Sequence, residues 1–380
     1  MNGVGPRPRS SRLRGLGQAV RLTLRRLRLQ ALAWVLPLWA LAAATPSYAS
    51  VYPSLSSRAA LIAAMRQTPG TRLLYGVLPL PGTIGQLAQW EIGTYLLVCT
   101  GLMAVLMTCR MLRTDEDEGL VEVLRGAGAG RWVPFLAPVL VVFGVVAVHA
   151  AGTGVVMTAL TGRVKELTVS GAWALAGTVA VVGWAFAGAG AAASQLARSA
   201  GAARGLSLGL LGTAFALRVL ADEADAPWAR RLSPLAWRDL VEPYTRDRVA
   251  LLAVCAACCP VLVAVAGALY ARREYLGGYL PDRSASRRRW RVHGRAGLLA
   301  RLCLRPLAAW TVAAVCLSTL FGTMAGGVTD LLRPGSATAQ MVDKMAPGSP
   351  VAQFMGLLTV FTVLLVVVAA VGRAGALARS

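Results

Sequence analysis

Eight long apolar runs constrain this chain more than any other feature: Gln30–Ala49, Ile92–Leu112, Val133–Leu160, Ala172–Ala193, Gly205–Ala221, Val249–Tyr270, Pro306–Thr323 and Phe354–Val371. A run of about 18 or more apolar residues is long enough to cross a hydrocarbon core of about 30 Å as a helix. Inside lipid every backbone polar group has to bond within its own segment. The runs therefore predict an all-α, polytopic transmembrane helix bundle of about eight spans. Composition agrees, since 56% of the 380 residues are hydrophobic and 15% charged, with a mean hydropathy of +0.59. That balance excludes an ordinary soluble globule.

A formal net charge of +22 would suit nucleic acid if the arginines formed a surface of their own. They sit beside spans instead. Arg7 to Arg28 precede the first run, and Arg272, Arg273, Arg283, Arg287, Arg288, Arg289, Arg291 and Arg295 fall between the sixth and seventh. The positive-inside rule makes both segments cytoplasmic, as an even number of intervening spans permits. The expected partner of this charge is the anionic lipid bilayer, not nucleic acid. The chain thus reads as a multi-pass plasma-membrane protein with a cytoplasmic N-terminus, and Val51–Gln89, Thr161–Ser170, Asp222–Arg248 and Ala325–Val351 as outer loops. The run ALAWVLPLWALAAA after an Arg-rich lead has the look of a signal peptide. The long lead, Pro37 within the run and a related later segment favour an uncleaved first span.

One acidic, helix-forming stretch stands between two apolar runs: Arg113 to Arg131, RTDEDEGLVEVLRGAGAGR. Asp115, Glu116, Asp117 and Glu118 fall on the first turn of a prospective helix, where the positive end of the dipole favours them. Val121, Val123 and Leu124 supply an apolar edge. Glu122 is placed to pair with Arg125 or with basic side chains of another protein, and Gly126, Gly128 and Gly130 end the helix. A surface helix held by a span on either side transmits force but performs no chemistry.

The chain also repeats itself. LRRLRLQALAW, ending at Trp34, lines up with ARLCLRPLAAW, ending at Trp310, and the span that follows each closes in Leu112-Arg113-Thr114 or Ala378-Arg379-Ser380. The expected organisation is a basic segment at 1–29, a six-span unit at 30–271 with the surface helix at 113–131, a basic linker at 272–302, and the first two spans of a second, incomplete repeat at 303–380. The missing part would be absent or supplied elsewhere. Gly183, Ala187 and Ala191, then Gly205, Gly209 and Gly212, form small-residue faces suited to packing within the bundle or to a second copy of the chain. Trp237 and Tyr244 read as headgroup-level anchors of an amphipathic outer segment.

Chemistry is sparse. No Gly-rich turn precedes a Lys-Ser/Thr pair, so no nucleotide site is legible. GxSxG and His-Glu-x-x-His are absent too, leaving no catalytic residues to name. Cys255, Cys258 and Cys259 share a helix face, but no nearby His, Asp or Glu completes a ligand set, so no metal site is assigned. Ionisable groups at spans are expensive and worth naming. Glu91 at an outer mouth and His149 within the third run are the candidates for a substrate path; an interfacial carboxylate and a neutral histidine bonded to a helix carbonyl are the plainer alternatives. Arg218, one turn before Asp222, reads as a salt-bridged, snorkelling arginine.

Asp117-Glu118-Gly119-Leu120-Val121-Glu122-Val123-Leu124, followed by Gly128 and Arg131, resembles the cytoplasmic motif of ABC-2-type exporter permeases. Ala271-Arg272-Arg273-Glu274 through Leu280-Pro281-Asp282-Arg283 and Leu232-Ser233-Pro234-Leu235-Ala236-Trp237 are similar to segments of the actinobacterial exporters of polyketide antibiotics. Gly128 and Leu120 depart from the proline and arginine usual there, and the second half is short. The resemblance implies a permease subunit exporting a lipophilic, antibiotic-like molecule, with no cofactor of its own and ATP and Mg on a partner ABC ATP-binding subunit. Asp115, Glu116, Asp117, Glu118, Gly119, Glu122, Leu124 and Arg131 would form the coupling helix against that partner. An energy-independent carrier or channel, and a degenerate non-transporting membrane protein, are the other readings.

Overall fold

The computed structural model describes residues 12–51, 54–67, 69–224 and 226–280. The seventh and eighth expected runs and the segment 303–380 lie outside them. Two compact units divide the chain: Met1–Leu55 with Pro79–Ser284, and Ser56–Leu78 with Ala285–Ser380. The described part of the second carries most of the helix Leu55–Gln67 and the helix Pro69–Tyr75.

Among the described residues the first unit is an all-α bundle of six helices long and apolar enough to cross a membrane: Leu16–Ser50, Ile84–Asp117, Val133–Leu160, Val169–Leu196, Ala200–Glu223 and Ala250–Arg272, here spans 1 to 6. Span 3 has the bounds its hydropathy predicts. Span 1 starts well before Gln30, because Leu and Arg are good helix formers and Leu16, Ala19 and Val20 pack on Val133 and Ala137 of span 3. Arg21, Arg25 and Arg28 ride on its exposed side.

Span 4 lies at the centre, packed against spans 2, 3, 5 and 6. Its most apolar window is 83% buried, against 22% for spans 1 and 6 and 28% for span 5. Gly183, Ala187 and Ala191 fall on its buried positions, which lets backbones approach where lipid supplies no hydrophobic drive between helices. Gly205, Gly209 and Gly212 of span 5 meet nothing within 4 Å among the described residues. The two small-residue faces therefore differ: one is internal and the other open.

Spans 1 and 3 meet at Gly152. A Cβ there would lie 2.1 Å from Trp39 Cζ2, and Trp39 Nε1 donates to the His149 carbonyl at 3.0 Å. Gly152→Ala should displace the indole and lower stability by about 1–3 kcal/mol, read as an earlier thermal transition in detergent with altered tryptophan emission. An unchanged transition would show that this junction has slack.

Span 2 begins inside what the sequence presents as an outer loop. Thr83 and Gln86 form a reciprocal capping box over Ile84–Trp90, and Ile84 N donates to Glu166 Oε2 at 2.7 Å. At Glu91 the helix breaks before Ile92–Cys109. Buried Arg238 fills the break, donating to the Gln89 carbonyl (3.1 Å), the Trp90 carbonyl (3.0 Å) and the Thr94 hydroxyl.

The 234–248 segment corrects the expected interfacial anchors. Trp237 and Tyr244 are 7% and 9% exposed and join the main core rather than projecting to headgroup level. The Tyr244 ring fills the space left by Gly85 and Gly171. Burial, then the Asp247 charge, pushes its hydroxyl pKa up, which keeps it protonated. Arg218 pairs with Asp222 at 3.6 Å as its spacing predicts, but at 2% exposure it is buried, not snorkelling.

Candidate functional site

Gly119 decides the shape of the acidic stretch. Span 2 continues through a wide turn at Arg110–Thr114 and a last turn at Asp115–Asp117. Gly119 then takes a left-handed φ of 76° and a separate helix, Leu120–Gly126, begins. Only glycine adopts that conformation without steric penalty. Gly128, at φ 85°, does the same after the second helix. The acidic residues thus close one helix instead of opening the next, at the end where the dipole disfavours negative charge.

Basic groups from elsewhere offset this. Asp115 accepts from both terminal nitrogens of Arg26 on span 1, at 2.7 and 2.8 Å. Glu116, 3% exposed, takes a two-pronged contact from Arg273, with Nη1 on Oε1 at 2.9 Å and Nη2 on Oε2. It also accepts the Leu276 amide at 2.9 Å and Arg113 Nη1 at 3.3 Å. Asp117 accepts the Ala200 amide at the start of span 5 at 2.8 Å and lies 3.4 Å from Arg113 Nε. Arg113, fully buried, further donates to the carbonyls of Leu276 and Gly277, each at 3.1 Å, and of Arg198. Arg273 Nε reaches Gln195 Oε1 of span 4 at 2.7 Å. These contacts therefore tie Arg26 of span 1 to the neighbouring ends of spans 2, 4, 5 and 6.

The remaining candidates face differently. Glu118 and Glu122 are exposed, Val123 is 68% exposed, and Gly119 and Leu124 are half-buried. Arg131 is exposed and donates to the Ala271 carbonyl at 2.7 Å. Tyr275 sits near Glu122, and burial, then the Glu122 and Glu116 carboxylates, raises its pKa. The structure gathers the eight acidic-stretch candidates at one end of the bundle but splits them into an internal set and an outward set.

Glu91 and His149 are not brought together. Glu91 accepts the Tyr48 hydroxyl at 2.6 Å beside the span 2 break. His149 is buried against Thr100, with Nε2 3.0 Å from Oγ1, roughly 13 Å further along span 2 at 1.5 Å per residue. Thr100 donates in turn to the Leu96 carbonyl, so the histidine's partner is a hydroxyl, not the helix carbonyl expected.

Sequence reading missed Arg26, Arg113, Gln195, Arg238 and Arg273 as structural partners. Arg113 carried a signal, since Glu116 and Asp117 follow it at the i+3 and i+4 spacings that pair on a helix. Arg273 reads from sequence as part of a lipid-facing linker; the structure leaves it 6% exposed in its pair with Glu116.

Two comparisons bear on this architecture. Residues 293–379 match the family model described as the C-terminal domain of the multidrug efflux system permease Rv1217c. The chain is also similar to the multidrug efflux system permease protein Rv1217c of Mycobacterium tuberculosis (strain ATCC 25618 / H37Rv), 30% identical over 340 residues. That match takes in 87% of this chain and 59% of the relative, so the chain spans about three fifths of the relative's length.

Proposed function

Because the chain belongs to the family of exporter permeases that includes the multidrug efflux permease Rv1217c, we propose that it is the membrane subunit of an ATP-driven exporter. The observation that carries this reading is the division of the acidic stretch. Asp115, Glu116 and Asp117 anchor the turn to Arg26 of span 1, to Arg273 just past span 6 and to the start of span 5, while Glu118 at the turn and Glu122 and Val123 on the short helix that follows stay exposed. Such a lever passes displacement to the spans only if something outside the bundle grips its free face. A separate ATP-binding subunit, carrying ATP and Mg, supplies that grip. Its ATP-bound and ATP-free forms would bind the lever differently and so bias the bundle between inward- and outward-facing states.

In this proposal the acidic turn, and with it the N-terminus, is cytoplasmic, in keeping with the arginines along the start of span 1. The membrane is the plasma membrane. The cargo is a lipophilic, antibiotic-like small molecule, in keeping with the apolar bundle and the efflux role in the relative's name. The open face of span 5 suits a second permease half or copy.

Copurification with a soluble P-loop ATPase, followed by turnover measurements in vesicles, tests the proposal. The expected result is retention of the ATPase and ATP turnover that rises with a lipophilic drug. Failure of every candidate ATPase to be retained, or labelling of Glu118 only from outside the cell, would overturn it.

A further inference from the structure

At the end of the bundle that holds the acidic turn, a cavity of about 430 Å³ lies between residues 121–134 and 270–275. We propose that it is a binding site for the phosphate of an anionic phospholipid headgroup.

Charge comes first. Arg125, Arg131 and Arg273 line the cavity against two carboxylates, Glu116 and Glu274. Glu116 is already engaged by Arg273 and Arg113, which leaves Glu274 as the other carboxylate lining the cavity among the described residues, with Glu122 close by against Tyr275. The Arg125 and Arg131 guanidiniums are both oriented. Arg125 lies 5.2 Å over the Tyr275 ring and donates from Nη2 to the Tyr270 hydroxyl at 3.3 Å. Arg131 donates from Nη2 to the Ala271 carbonyl. Each bond engages one nitrogen of a group with five N–H donors, so a fork remains on each for phosphate oxygens.

Depth comes second. Tyr270 stacks on Phe135 at 5.2 Å and lies 5.7 Å from Trp132, and its hydroxyl donates to the Arg131 carbonyl at 2.9 Å. Clustered Trp and Tyr mark the headgroup level of a bilayer. Basic pockets between spans are a recurring mode of headgroup recognition. Free phosphate shares the headgroup's chemistry, and competition between the two separates them.

The test uses the full chain in mixed phosphatidylcholine and phosphatidylglycerol nanodiscs, with bound lipid counted by native mass spectrometry. Phosphatidylglycerol should be retained several-fold over phosphatidylcholine, and Arg125→Gln with Arg131→Gln should bring that preference close to parity through the loss of charge-assisted contacts. Glu274→Gln should raise it, a gain that misfolding would not produce. Equal preference in parent and double variant overturns the site. So does an equal loss in Arg272→Gln, which would assign the effect to bulk surface charge. Displacement of phosphatidylglycerol by millimolar inorganic phosphate would make the site one for the free anion and overturn the lipid assignment. None of these readouts needs an ATPase, so the outcome is separate from the transport proposal.

Discussion

Glu116→Gln should destabilise the protein by about 3–5 kcal/mol, the range for removing one member of a buried ion pair. The carboxylate is 3% exposed and faces two guanidiniums that are themselves nearly sealed, Arg113 at 0% and Arg273 at 6% side-chain exposure. The amide keeps the shape and an acceptor for the Leu276 N–H, but it leaves the positive charges without their shared counterion. Thermal unfolding in detergent checks the loss, and a cycle with Arg273→Gln checks its origin. Removing both partners should destabilise by less than the two single changes added together, because only Arg113 then loses Glu116, and it keeps Asp117 at 3.4 Å. Additive effects would show that the contact matters for packing and not for charge.

Glu118→Lys combined with Glu122→Lys should behave in the opposite way. Both residues are exposed, so stability should stay within about 0.5 kcal/mol of the parent. Export by the proposed complex should fall by at least about tenfold, and ATP hydrolysis by the partner should persist without drug stimulation. A loss of about 1.4 kcal/mol in the grip on the lever is enough for such a factor, and reversing two charges on a docking face readily exceeds it. Full export by this double variant would sink the assignment of the Leu120–Gly126 helix as the transmitting contact. Comparing the two experiments separates anchorage from docking, which sequence treats as one acidic block.

Much of the architecture was legible because it rests on local properties. Apolar length and helical hydrogen bonding are settled within a stretch of about twenty residues, and spans 3 and 4 lie where hydropathy puts them, at Val133–Leu160 and Val169–Leu196. The Thr83–Gln86 capping box is equally local, a Thr and a Gln three residues apart inside what hydropathy alone presents as a loop. Trp237 and Tyr244 show the limit: their amphipathic surroundings suit either an interface or a core, and only the fit of Tyr244 over Gly85 and Gly171 chooses the core.

The candidate site follows the same division. Sequence alone singled out the acidic stretch, its glycines and its place between two spans. Which carboxylates turn inward was decided in three dimensions, since Glu116 and Arg273 are 157 residues apart and Asp115 and Arg26 are 89. A helix forms from neighbours along the chain, whereas a charge takes whichever counterion folding brings within a few ångströms. That is why the spans could be read in order along the chain, while the split between anchoring Glu116 and outward Glu118 belongs to the tertiary structure.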